Sequence, residues 1–171
     1  MLTPARKVPN LDLPLTNGTR FELEKQAPDA FTMLVFYRGS HCPICKNYLE
    51  ELGGRLQDFV ERGVNVFAVC MDDQDRAMLV DEEWDTHNLP LAYGMDEETA
   101  RSWGLYISSA REGSDEPERF SEPGLFLIRP DMELFFAQKQ SAPFTRPPLG
   151  QLLDGIDFVK DKNYPARGDL T

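Results

Sequence analysis

The sequence predicts an α/β fold in which helices flank a central mixed β-sheet and a β-hairpin precedes it. Three observations predict it. Apolar, β-forming runs at 31–37 and 64–70 alternate with stretches of helical periodicity over about 43–62 and 73–87, the order of a unit whose two strands run parallel. Two later runs, 124–128 and 134–137, flank the turn Arg129-Pro130-Asp131-Met132 and read as an antiparallel hairpin. Between the first strand and the first helix stand two cysteines three residues apart, Cys42 and Cys45.

Each element has a local reason. Residues 8–24 form a proline-punctuated extended stretch, and Asn17-Gly18 is the turn between Leu11-Asp12-Leu13-Pro14-Leu15 and Phe21-Glu22-Leu23. Gly39 and Ser40 interrupt the apolar run 31–37 before Leu49, Leu52, Leu56, Phe59 and Val60 recur at helical spacing, and Gly63 closes that helix. A short helix is expected from about 96 to 103, ending at Gly104. Residues 110–119, with Gly113, Ser114 and Pro117 among alternating charges, read as a mobile loop over the active-site face. A last helix over about 148–160 is expected to bury Leu149, Leu152, Leu153, Ile156 and Val159. The run 142–148, Ala-Pro-Phe-Thr-Arg-Pro-Pro, reads as a connector to that helix, with a homodimer contact as its alternative use.

At the junction, Pro43 suits a first-turn helical position and Cys42 falls at or beside the N-cap. Unpaired backbone N–H groups and the positive end of the helix dipole favour a thiolate there, bringing a pKa of about 8.5 down into a range of roughly 3.5 to 7.5. Redox chemistry is the first reading of the pair. Zinc binding would need scattered partners, since Cys70 stands alone and the histidines are His41 and His87. A purely structural bridge would close too short a loop to constrain the unfolded chain much. Two inert core thiols remain a third alternative, although a helix start is a poor place for them. Cys70 itself reads as a buried strand-end residue, and Tyr37, Trp84 and Trp103 as core or site-wall aromatics.

Composition agrees with one domain spanning 1–171. At 41% hydrophobic and 11% aromatic residues the chain can bury a substantial core, and three cysteines do not make a disulfide framework. No stretch approaches the roughly 18 apolar residues of a membrane span, and the first residues lack the apolar core of a secretion signal, so a cytoplasmic protein is expected. Net charge is −11, from 29 acidic and 18 basic residues, which argues against nucleic-acid backbones and anionic membranes as partners. The acidic runs near 71–75, 81–83 and 115–118 are best read as solvated surface. No nucleotide or flavin motif is present, so no cofactor is expected.

Taken together, these segments resemble the thioredoxin superfamily and, within it, the peroxiredoxin-like branch of alkyl hydroperoxide reductases and thiol-specific antioxidants. The resemblance runs through Val8-Pro9-Asn10-Leu11-Asp12-Leu13-Pro14, the Cys42-Pro43-Ile44-Cys45 motif, Val66-Phe67-Ala68-Val69-Cys70-Met71-Asp72 and Gly124-Leu125-Phe126-Leu127-Ile128-Arg129-Pro130-Asp131. It implies a thioredoxin-like fold of peroxiredoxin type. Counting from Tyr37 puts Arg38 on the family's proline, Cys42 on its threonine and Cys45 on its peroxide-attacking cysteine. Pro123 stands where the family carries an arginine, and it resembles the cis-proline that thioredoxins hold opposite their cysteine pair.

The resemblance thus implies a thiol-dependent oxidoreductase with Cys42 and Cys45 as catalytic residues and Arg38, His41, Pro43 and Pro123 in support. Two enzymatic mechanisms follow. In one, Cys42 attacks a protein or small-molecule disulfide and Cys45 resolves the mixed disulfide. In the other, Cys45 reduces a hydroperoxide and Cys42 resolves the sulfenic acid, with Arg38 or Arg146 supplying the missing guanidinium. Either requires a thiol electron donor. A non-enzymatic redox sensor that docks partners through the acidic surface or the loop at 110–119 is the third reading.

Overall fold

The computed structural model describes residues 2–170. Its central sheet has five strands: β3 (Phe31–Phe36), β4 (Val64–Val69), β5 (Leu91–Ala92), β8 (Gly124–Ile128) and β9 (Leu134–Lys139), in spatial order β5-β4-β3-β8-β9. β3 and β4 are parallel, with Phe31 opposite Val64, because the chain between them crosses over as α1 (Pro43–Gly54) and α2 (Leu56–Glu61). β5 adds parallel to β4, whereas β8 pairs antiparallel with both β3 and β9. The sheet is therefore mixed, and β3, which precedes Cys42, is its middle strand.

Outside the sheet lie the N-terminal hairpin, β1 (Asp12–Pro14) with β2 (Arg20–Glu22), and a second hairpin, β6 (Ile107–Ser109) with β7 (Arg119–Ser121). A 3-10 turn (Leu23–Lys25) and helices α3 (Gln74–Glu83), α4 (Glu97–Ser102) and α5 (Leu149–Lys162) complete the element order.

Both faces of β3 are buried, and the pleat divides its side chains between two cores. Phe31, Met33 and Val35 join Leu49, Leu52, Phe59, Leu153 and Ile156 from the helices on one side. Leu34 and Phe36 face the other side, where Trp103 and Phe126 meet the Phe36 ring at centroid distances of 5.5 and 5.4 Å. Each such aromatic, fully buried, contributes about 1.5–3 kcal/mol. A middle strand fixed on both faces holds the start of α1 rigidly.

Three expectations need correction. The single helix over 43–62 is two helices, broken after Gly53-Gly54 at Arg55 (φ −108°, ψ 8°), because each glycine weakens a helix interior by about 1 kcal/mol. Gly63 (φ +77°) therefore closes α2 rather than one long helix. The region around 110–119 is not only a loop, since its flanks pair as β6 and β7. Finally, the apolar stripe of α5 is incompletely covered: Leu149, Leu153 and Ile156 are buried, but Leu152 and Val159 are only half-buried.

Candidate active site

Cys42 is the N-cap of α1. Its backbone is extended (φ −105°, ψ 103°), Pro43 opens the helix behind it, and its Sγ accepts the Cys45 backbone N–H at 3.3 Å. The sulfur thus occupies the place of a capping side-chain oxygen and faces the unpaired N–H groups of the first turn. Arg38 Nη1 lies 4.0 Å from the same sulfur.

The loop before Cys42 is fixed from the segment that follows β4. Buried Asp72 accepts the Ser40 backbone N–H at 2.7 Å, and burial raises the Asp72 carboxyl above its ordinary value. Gly39 is required beside it: its φ is +130°, and a Cβ there would stand 2.5 Å from Asp72 Oδ1.

Both thiols are free, Cys42 1% and Cys45 0% exposed. The hydrogen bond from the Cys45 thiol is the largest cause that brings Cys42 down to about 6, aided by the Cys45 N–H, Arg38 and Arg146 against the opposing effect of burial. Burial first, and donation to Cys42 second, push Cys45 well above the ordinary thiol range, although Arg146 works the other way. At neutral pH the pair therefore holds one proton, with the thiolate at Cys42.

Alkylation of Cys42 by iodoacetamide is accordingly expected to rise about tenfold per pH unit up to about pH 6 and to level off by about pH 7. A rate still climbing through pH 8 in a pH–rate series would contradict the assignment. The stability linkage has a definite sign. Folding lowers the Cys42 pKa from 9.0 to about 6, so its contribution is complete above pH 9.0 and disappears as pH falls to about 6.

Arg38 is itself enclosed. Its Nη2 lies 3.4 Å from Glu116 Oε1 and its Nε 3.2 Å from Glu122 Oε2, the latter at an angle too oblique for a hydrogen bond, while Phe120 lies 4.7 Å from the guanidinium carbon. Glu122 also accepts the Ser108 hydroxyl at 2.7 Å. Glu116 accepts the Arg111 backbone N–H at 2.8 Å, the main reason its carboxyl is held down at about 2. Because Glu116 pairs with both Arg38 and Arg111, the loop between β6 and β7 is anchored to the active-site wall. Neither carboxylate was expected in this role, since their charges lie more than 75 residues from Arg38 in sequence and only the β6–β7 hairpin brings them there.

The run 142–148 does more than connect. Tyr48 Oη donates to the Pro147 carbonyl at 2.7 Å, the Arg146 guanidinium lies 5.3 Å from the Tyr48 ring centre, and Arg146 Nη2 donates to Cys45 Sγ at 2.9 Å. Thr145, just before it, takes a left-handed backbone (φ +62°), which is strained for a β-branched residue. Arg146 is thus the guanidinium at Cys45, and Arg38 the one at Cys42.

His41 and Pro123 depart from expectation. Neither ring nitrogen of His41 has a hydrogen-bond partner, and the ring meets Phe120 edge-on at 4.7 Å. Burial, then Arg38, lowers His41 to about 4, so it is neutral at pH 7 and lends Cys42 no charge. Pro123 is buried just before β8, but no peptide bond among the described residues is cis, so the likeness to a thioredoxin cis-proline does not extend to the isomer. The Glu122 backbone N–H is also committed, donating to the Tyr106 carbonyl at 2.8 Å, and is not free to pair with a substrate chain.

Cys70 is fully buried behind this site, and burial pushes its thiol up. Among the described residues no group of three or more His, Cys, Asp or Glu side chains is arranged to hold a metal ion. No helix among them is long and apolar enough to cross a membrane.

The AhpC/TSA family model matches residues 4–137. The chain belongs to the AhpC/TSA family. No curated protein matches this AhpC/TSA-family chain in sequence. Solved structures share its fold. The peroxidoxin BcpB of Mycobacterium tuberculosis is 17% identical with a TM-score of 0.73, over 93% of this chain and 99% of that one. AhpC of Mycobacterium tuberculosis is 12% identical with a TM-score of 0.75, over 97% of each chain. A thiol:disulfide interchange protein described as DsbE, from Chlorobium tepidum, is 19% identical with a TM-score of 0.69, over 93% and 98%. The shared architecture is the thioredoxin-like fold of peroxiredoxin type, and the family is one of thiol-dependent oxidoreductases. The match includes both cysteines, Arg38, Glu116 and Glu122, whereas Arg146 and α5 lie beyond it.

Proposed function

We propose that this AhpC/TSA-family protein is a thiol-disulfide oxidoreductase that cycles a Cys42–Cys45 disulfide, with Cys42 as the attacking sulfur. One observation carries the reading: the Cys42 sulfur caps α1, accepts the Cys45 N–H and has the Arg38 guanidinium beside it. A thiolate there is stabilised before any substrate arrives.

The Cys42 thiolate attacks one sulfur of a substrate disulfide; the S–S bond breaks, a substrate thiolate leaves and takes a proton from water, and a mixed disulfide remains on Cys42. Cys45 then gives up its proton to solvent, its thiolate stabilised by Arg146 at 2.9 Å, and attacks Cys42 Sγ. The second substrate thiolate leaves. Two electrons have passed to the substrate, and an external thiol donor returns them to the Cys42–Cys45 disulfide. Substrate enters beside a cleft of about 330 Å³ between the start of α1 and the run 142–148, where Ile44 is 41% and Phe144 59% exposed. Disulfides carried on a protein or on a small molecule both suit this chemistry, within one thioredoxin-like domain and a reducing cytoplasm.

Arg146 at Cys45 favours a second reading, hydroperoxide reduction. There the Cys45 thiolate attacks the terminal peroxide oxygen, the O–O bond breaks to release an alcohol or water, and Cys42 attacks the resulting sulfenic sulfur to expel water.

Stopped-flow oxidation of the reduced protein, comparing hydrogen peroxide with a model disulfide, tests the choice. The disulfide is expected to form the Cys42–Cys45 bridge faster at equal concentration. Faster oxidation by peroxide, with sulfenic acid appearing at Cys45 in Cys42→Ser, would transfer the assignment to the second reading.

A further inference from the structure

The incomplete cover on α5 leaves space. Leu152 and Val159 face Leu127 of β8 and Phe136 of β9 across a cavity of about 390 Å³, within the range of about 300–1,000 Å³ common for small-molecule sites. Its walls are mainly apolar. Gln138 and Gln151 add neutral polar groups, and Arg146 is the one charged side chain lining it.

Arg146 has an unmet requirement. Among the described residues it pairs with no carboxylate, and its hydrogen-bond acceptor is Cys45 Sγ, reached through Nη2. Its Nε and Nη1 are buried with no acceptor at all. Two idle donor nitrogens on a guanidinium are costly unless an anion meets the group, and Arg146, half-buried, lines this mainly apolar cavity.

We propose that the cavity binds a soluble small molecule with one anionic head and an unbranched apolar tail, its carboxylate on Arg146 and its tail along Leu127, Phe136, Leu152 and Val159. A single cation matches a single negative charge, since a dianion would bring an unpaired charge into an apolar space. The head and Cys45 then share one guanidinium, so occupancy of the cavity bears on the reactivity of the resolving thiol. Leu127 and Phe136 lie within the segment matched by the AhpC/TSA model, whereas Arg146 and all of α5 lie outside it.

Calorimetric titration of the reduced protein with decanoate, below its micellar concentration, tests the site without any turnover, so the result is independent of which cysteine attacks first. One-site saturable binding is expected, with 1-decanol, which lacks the charge, and acetate, which lacks the tail, each weaker by about tenfold or more. Arg146→Gln should weaken decanoate about tenfold or more, and Arg146→Lys should restore part of it. Gly155 lines the cavity, and an added Cβ there meets nothing within 4 Å. Gly155→Phe should therefore abolish binding while Gly155→Ala retains it. The proposal is overturned if decanoate does not bind saturably, if decanol binds as tightly, or if binding survives undiminished in both Gly155→Phe and Arg146→Gln.

Discussion

Cys45→Ser is expected to halt turnover after one step and to leave a stable mixed disulfide on Cys42. The reason is the geometry of the second step. In the native pair the resolving sulfur sits one helical turn behind the attacked one, with its backbone N–H 3.3 Å from Cys42 Sγ. Well-oriented intramolecular attack has effective molarities of about 10⁵–10⁸ M, which no external thiol at millimolar concentration approaches. The loss should exceed about 10³-fold in steady-state disulfide reduction. Serine keeps the volume and leaves the N–H that caps Cys42 untouched, so the first step survives. The measurement is intact-mass spectrometry after mixing with excess model disulfide, which should show one substrate half per chain, absent in Cys42→Ser. Adduct on neither variant, with wild type also inert toward peroxide and disulfide, would favour a redox sensor in place of an enzyme.

The second large effect concerns stability and reactivity together. Replacing Arg38 with methionine keeps most of the side-chain length but removes the cation between Glu116 and Glu122, whose side chains are 2% and 5% exposed. Without the guanidinium, Glu122 is left buried with no charged partner, whereas Glu116 keeps Arg111, so the variant is expected to be less stable. Urea denaturation of Arg38→Met should show a markedly lower midpoint, and adding Glu122→Gln should recover part of it by removing one stranded charge. The Cys42 pKa should also rise, since the guanidinium 4.0 Å from its sulfur is gone. An unchanged midpoint would mean that Glu122 is reached by water or by another partner.

Much of this was legible in the chain. The α/β alternation, the helix start at Cys42 and Pro43, and the late hairpin rest on local signals: an apolar run, a proline at a first helical turn, a turn flanked by strands. The break in the first helix was also visible as Gly53-Gly54, yet the periodic leucines around it argued more strongly for continuity. The β6–β7 hairpin was harder to see because its strands are three residues each and its sequence is polar. Strands so short carry too few side chains to establish a period.

The sequence by itself determined the chemistry available: two thiols one helical turn apart at a helix start, and the family to which that motif and its flanking strands belong. Tertiary structure decided which charges meet those thiols. Arg38 is four residues from Cys42, but its two carboxylate partners come from a distant hairpin, and the guanidinium on Cys45 comes from a proline-rich run 101 residues away. Side-chain pairing across such separations leaves no periodic trace in a sequence, because only the packing of the sheet and helices sets the distances. The same packing left Leu152 and Val159 facing an open cavity where helical spacing alone had placed them in the core.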